Sequence, residues 1–214
     1  MTKIVILGGT GYAGSALVAE AAKRGLDVTS VSRKAPEQPI EGVHYVTGSV
    51  LDEQFLSDAV KGADVIVSAL SPRGALAGKQ RGVLAEVAAQ AAADGQRFGV
   101  IGGAGSLQVT EGGPRVVDTD GFPDEFKAEA NELAAVLDDL KAGSPDLDWF
   151  FISPAGGFGG HNPGPTTGTF RIGGDVLLVD EAGQSNLSAG DLAIAVLDEV
   201  EKPEHSRQRF TVAY

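Results

Sequence analysis

Cysteine is absent from the 214 residues, which excludes disulfides, thiolate catalysis, cysteine-ligated zinc and iron–sulfur clusters together. Only three histidines are present. The loop acids Asp118, Asp120 and Asp124 lack calcium-loop spacing and read as solvated groups or caps of the next helix, so no metal is expected. Positive charge is scarce, with 17 Lys plus Arg against 29 Asp plus Glu and a net charge of −12. Such a surface repels phosphate backbones and anionic bilayers, so neither nucleic acid nor membrane is expected as a partner. Long apolar runs are missing as well: Ile4 to Leu7 breaks at Gly8, and no stretch approaches the roughly 20 residues that span a bilayer. A cytoplasmic protein is the expectation.

What the chain has in surplus is glycine, 30 of 214 residues, about twice the usual share of roughly 7%. The 43% hydrophobic content suits a single domain over residues 1–214. Short apolar, β-branched runs alternate with stretches of helical period, the pattern of parallel strands joined by crossover helices. Strands are predicted at Lys3 to Leu7, Asp27 to Ser32, Val43 to Thr47, Asp64 to Ala69, Arg97 to Ile101 and Asp148 to Ile152. Leu17, Val18 and Ala21 mark a first helix ended by Gly25, a second covers Glu53 to Lys61, and Val83 to Ala92 form a third closed by Gly95. The spacing of Leu133, Val136, Leu137 and Leu140 predicts a helix over Asp124 to Ala142. A Gly/Pro-rich loop, Ala155 to Gly168, then precedes short strands at Thr169 to Ile172 and Val176 to Val179. Ser188 and Asp191 read as a capping box opening a helix to about Val200, and Arg209 to Val212 as a last strand.

Between the first strand and the first helix, Gly8, Gly11 and Gly14 stand at GxxGxxG spacing. Gly8 permits the tight turn, Gly11 a close approach of backbone to a pyrophosphate, and Gly14 close helix–strand packing; the helix N-terminus adds free amides and a positive dipole. This context predicts a Rossmann-type doubly wound parallel sheet, helices on both faces, with residues 155–190 as a small C-terminal substrate-side elaboration. The second strand ends at Ser32-Arg33-Lys34, where an NAD-selective chain usually carries an acid. Arg33, helped by Lys34, suits a 2′-phosphate, so NADP(H) is expected over NAD(H); the alternative is a solvated basic turn.

GGTGYAG from Gly8, GSVLD at Gly48 to Asp52 and GADVIVSAL at Gly62 to Leu70 resemble the atypical short-chain dehydrogenase/reductase group that includes NmrA-like and biliverdin-reductase-B-like proteins. GGAGSL from Gly102, the strand end Asp148 to Pro154 and the segment Arg207 to Tyr214 are similar to bacterial proteins labelled NADH-flavin reductases. The resemblance implies that Gly8, Thr10, Gly11, Tyr12 and Ala13 line the pyrophosphate and that Arg33 faces the adenosine phosphate. It implies further that Ser49 and Val50 border the adenine, that Ala69, Leu70 and Ser71 pass beneath the nicotinamide ribose, and that Pro154 lies near the nicotinamide. Relatives commonly carry Asp at the position of Ser49.

The proton relay of most short-chain dehydrogenases, a Tyr with a Lys four residues later, is missing: Lys127 is preceded at that distance by Pro123, and neither Tyr12 nor Tyr45 has a partner. Hydride transfer to a flavin, a quinone or a similar conjugated acceptor needs less, because the acceptor is electrophilic and can take its proton from water. FMN or FAD then enters as substrate rather than as a bound group. Ser106 is a candidate to orient substrate oxygen, or a loop hydroxyl; Lys127 a ribose contact, or a first-turn charge; His161 a donor to substrate in the second glycine loop. Trp149 and Phe150 read as core. The rival class is an NADP(H) sensor of NmrA-like type without turnover; a nucleotide-sugar epimerase is disfavoured by the missing relay. A monomer or homodimer acting on a small-molecule acceptor is expected.

Overall fold

The structure, a computed structural model, describes residues 1–214. In chain order it contains β1 (Lys3–Leu7), α1 (Tyr12–Lys23), β2 (Asp27–Ser32), β3 (His44–Thr47), α2 (Glu53–Val60), β4 (Val65–Ser68), α3 (Gln80–Asp94), β5 (Arg97–Ile101), α4 (Asp124–Ala142), β6 (Trp149–Ser153), β7 (Arg171–Gly173), α5 (Ala189–Glu201) and β8 (Gln208–Ala213). One eight-stranded sheet has the order β3-β2-β1-β4-β5-β6-β8-β7. Every pair is parallel except the β7–β8 edge. The strand order reverses at β1, with β2 on one side and β4 on the other, which is where ligands of open α/β sheets bind. No helix is long and apolar enough to cross a membrane.

Successive strand residues face opposite sides, so each strand feeds two apolar layers. Ile4, Ile6, Phe150, Ile152, Phe210 and Val212 pack under α1 and α5. Val5, Leu7, Phe98, Val100, Trp149 and Phe151 pack under α2, α3 and α4. Burial on both faces is why these strands read as near-continuous apolar runs rather than as alternating ones. Trp149 and Phe150 are both core side chains, at 1% and 0% exposure.

Two expectations are corrected in the C-terminal third. Val176 to Val179 forms no strand: Val176 makes one isolated bridge to Gln108, because Gln108 alone offers both backbone groups, accepting from Leu177 N–H and donating to Asp175. The capping box at α5 is half made. Ser188 Oγ accepts from Asp191 N–H at 3.0 Å, but Ser188 N–H donates to the Tyr214 hydroxyl instead of to Asp191.

At the opposite end of α5, Glu199 is buried against Arg97 of β5 and accepts from His205, whose ring stacks on Phe210 at 4.2 Å. Burial by itself would raise the Glu199 pKa, yet Arg97, His205 and the N–H groups of His205 and Glu204 outweigh it and hold the carboxyl below its ordinary range. A depressed carboxyl stabilises the fold above its unfolded pKa of about 4.3 and loses that contribution as pH falls. We therefore expect the urea midpoint to be steady from pH 7 to 5 and to drop below about pH 4. Glu199→Gln should lose about 3 kcal/mol at pH 7 and show a shallower acid decline; a decline as steep as wild type would remove Glu199 from the acid response.

Candidate functional site

The turn after β1 is tight because its backbone has nowhere else to go. Gly8 has φ +86°, and a Cβ there would stand 2.9 Å from the Ala69 carbonyl oxygen. Gly8 N–H and Gly9 N–H both donate to the Val31 carbonyl. The end of β1 is thus fastened between the ends of β2 and β4, which brings Ala69 and Leu70 against the glycine turn. Gly14 is buried, and a Cβ on it would lie 2.8 Å from the Gly8 carbonyl carbon, so α1 rests directly on the turn. Gly9, given no role by the motif, is equally confined: a Cβ would lie 3.1 Å from Val18 and press on the Ser30 hydroxyl. Only the packing partner Ser30, 21 residues away in sequence, reveals that constraint.

Gly11 differs. It has ordinary extended backbone, and a Cβ there would meet only the Gly8 carbonyl oxygen at 3.3 Å, with open space beyond. The N–H groups of Thr10, Tyr12 and Ala13 donate to no protein acceptor, and α1 has no side-chain cap. The contrast with α2 and α5 is direct, since Asp52 and Ser188 cap those helices. An uncapped first turn facing open space, with no Cβ in the way, fits a diphosphate bound by backbone donors. The same geometry separates the glycines experimentally. Gly14→Ala is expected to cost about 1 to 3 kcal/mol of stability by overpacking, whereas Gly11→Ala should fold within about 0.5 kcal/mol of wild type. Calorimetric unfolding of the two variants checks this, and equal losses would refute the distinction.

Beyond β2, Arg33 and Lys34 are exposed and form no ion pair; Ser32 Oγ donates to the Lys34 carbonyl at 2.7 Å and shapes that turn. A cavity of about 400 Å³ lies beside the glycine turn, lined by Gly9, Thr10, Ser15, Val18 and, from the segment after Arg33, Glu37 and Gln38 among others. Glu37 is therefore an acid near the turn that strand-end reasoning missed, because it arrives four residues after Arg33 by a fold-back of the loop. Gly48 N–H donates to Ser32, which sets the β3 end beside the β2 end. Val50 is buried there; the Ser49 hydroxyl is committed to its own turn, accepting from Leu51 N–H at 3.2 Å. Ser71 is exposed just past β4, and Pro154 is buried at the end of β6.

The three catalytic candidates are not assembled. Ser106 is buried and accepts from Arg209 at 3.3 Å, in a separate cavity with Arg115 and Asp175. Lys127 pairs with Asp124 at 2.6 Å, the ordinary first-turn ion pair. His161 is exposed on the 155–168 loop. No hydrogen bond links any two of them. What the loop does instead is pack against the first residue of α1: Phe158 packs on the Tyr12 ring at 5.3 Å, and the Tyr12 hydroxyl donates to the Pro163 carbonyl at 3.3 Å.

Residues 8–203 match the family described as NAD(P)H-binding. The whole chain is also similar to three solved structures. A Burkholderia pseudomallei protein named "putative exported protein" is 40% identical with a TM-score of 0.87, and each chain is covered to 100%. A "putative epimerase" from Bacteroides thetaiotaomicron is 33% identical with a TM-score of 0.89, over 100% of this chain and 97% of that one. A "putative NADH-flavin reductase" from Streptococcus pneumoniae is 32% identical with a TM-score of 0.86, over 100% and 99%.

Proposed function

The chain belongs to the NAD(P)H-binding family, and from that premise we propose that it is a reductase transferring hydride from NADPH to a flavin, a quinone or a similar conjugated acceptor. The observation that carries the reading is the uncapped, open first turn of α1 at the point where the strand order reverses. When bound there, NADPH supplies the hydride. Thr10, Tyr12 and Ala13 would bind its diphosphate through backbone N–H groups, and Ala69, Leu70 and Ser71 would support the ribose beyond β4. The covering loop would exclude water from the reacting face. Such chemistry requires no side-chain proton relay, which accords with Ser106, Lys127 and His161 being engaged elsewhere or exposed. Epimerisation, the activity in the name of the Bacteroides relative, requires one. Steady-state oxidation of NADPH with FMN, FAD and simple quinones tests the proposal. Tight NADPH binding with no turnover on any of them would turn the reading to a cofactor sensor.

Cofactor choice rests on Arg33, whose free guanidinium suits a 2′-phosphate. A second reading is favoured by Glu37 in the cavity wall, since a carboxylate there suits the ribose hydroxyls of NADH and repels a phosphate. Arg33→Ala should weaken NADPH by about 1.5 to 3 kcal/mol and leave NADH nearly unchanged. Glu37→Gln should leave NADPH as tight or tighter. Equal weakening of both cofactors by Arg33→Ala would remove the 2′-phosphate argument, and loss of NADH affinity in Glu37→Gln would transfer the choice to NADH; dissociation constants by titration calorimetry decide. A reaction drawing on a pyridine-nucleotide pool would suit the cytoplasm, while the name of the Burkholderia relative speaks of export; cell fractionation separates the two.

A further inference from the structure

The 155–168 loop lies on Tyr12 but contains six glycines and two prolines, a composition with little tendency to hold one conformation. It is held from outside. At its start, Gly156 and Gly157 N–H donate to Ser185, at 2.9 and 2.7 Å. In its middle, Asn162 bonds Gly157 and Asn186. At its far end Thr167 and Gly168 N–H donate to Asp191, at 2.9 and 2.7 Å. Asp191 has no exposed surface and also accepts from Ser188 Oγ at 2.8 Å and from the Tyr214 hydroxyl. That hydroxyl in turn lies 3.0 Å from the Pro165 carbonyl. The loop also needs Gly190, where a Cβ would crowd Thr166.

The Asp191 carboxylate is not needed to cap its own helix. Ser188 Oγ performs that task through Asp191 N–H, and no N–H of α5 donates to the Asp191 carboxylate. A buried charge is costly unless its hydrogen bonds are filled. Here, apart from Ser188, they are filled by the loop and by Tyr214, which touches the loop. The chain of contacts therefore runs from Asp191 through Thr167, Gly168 and Tyr214 to Pro165 and Pro163, and from Pro163 to Tyr12 on the glycine turn.

We propose that Asp191 is a positioning residue for the dinucleotide site: it anchors the 155–168 loop over Tyr12 and so governs how firmly the cofactor is retained, without touching it. This rests on the nucleotide-binding reading above. The buried Glu199, at the other end of α5 and tied to Arg97 and His205, provides the control for loss of a buried carboxylate from the same helix.

The test compares Asp191→Asn, Tyr214→Phe and Glu199→Gln with wild type. NADPH release is followed by stopped-flow fluorescence, and loop anchoring by amide hydrogen exchange of the 155–170 segment. Asp191→Asn should release NADPH at least about tenfold faster and raise its KM with little change in kcat, with faster exchange in the segment. Tyr214→Phe, which removes one hydroxyl, should shift both readings in the same direction by less, and stands in should Asp191→Asn fail to fold. Glu199→Gln should lower thermal stability while leaving release and loop exchange unchanged. Equal acceleration by Glu199→Gln, or faster loop exchange with unaltered release, would overturn the proposal. A wild-type protein that binds neither NADPH nor NADH would instead overturn the reading beneath it, and the titration that opens the experiment tells these failures apart.

Discussion

Helix α1 leaves strand β1 across the Gly8 carbonyl, and the close contact of Gly14 with that carbonyl governs the rest of the site. With no side chain at residue 14, the helix axis can begin directly above the turn, and its first N–H groups point out of the carboxyl edge of the sheet. With no side chain at residue 8, the same turn can lie against the β4 end at Ala69. A Cβ at either point would lift the helix or part the strands. The uncapped donors of Thr10, Tyr12 and Ala13 are a consequence of this placement, and so is the convergence of the β2, β3 and β4 ends around them.

The sheet divides labour between its two ends. At the amino edge of the strands, polar side chains pair with one another: Arg97, Glu199 and His205 join β5, α5 and the approach to β8. Arg24 at the end of α1 pairs with Glu20, Asp198 and Glu201 and so ties α1 to α5. At the carboxyl edge, donors and a free guanidinium are left without protein partners, and the covering segment is rich in glycine. Helix α5 spans both regimes, with Glu199 in the first and Asp191 in the second.

The period of the apolar residues was enough to place most elements, since β1, β2, β5 and α4 match their predicted bounds residue for residue. Strand–turn–helix context likewise made the glycine turn legible, because the constraints on Gly8 and Gly14 arise within a few residues of themselves. Boundaries slipped by one or two residues where strands run into loops, as at β4 and β6. The segment after β6 was read less well, since its short apolar pieces have no register of their own: Val176 finds a bridging partner in Gln108, 68 residues earlier.

By itself, then, the amino-acid order determined the alternation of strands and helices, the doubly wound class and the tight glycine turn between β1 and α1. All of these follow from local period and from the stereochemistry of glycine. Tertiary structure alone decided which distant groups meet: Ser106 with Arg209, Glu37 with Thr10 in one cavity wall, and Asp191 with Tyr214 and the 155–168 loop. Those encounters depend on how the crossovers fold back and on which buried charge finds its hydrogen bonds. Neither is written into a spacing of two or three and a half residues.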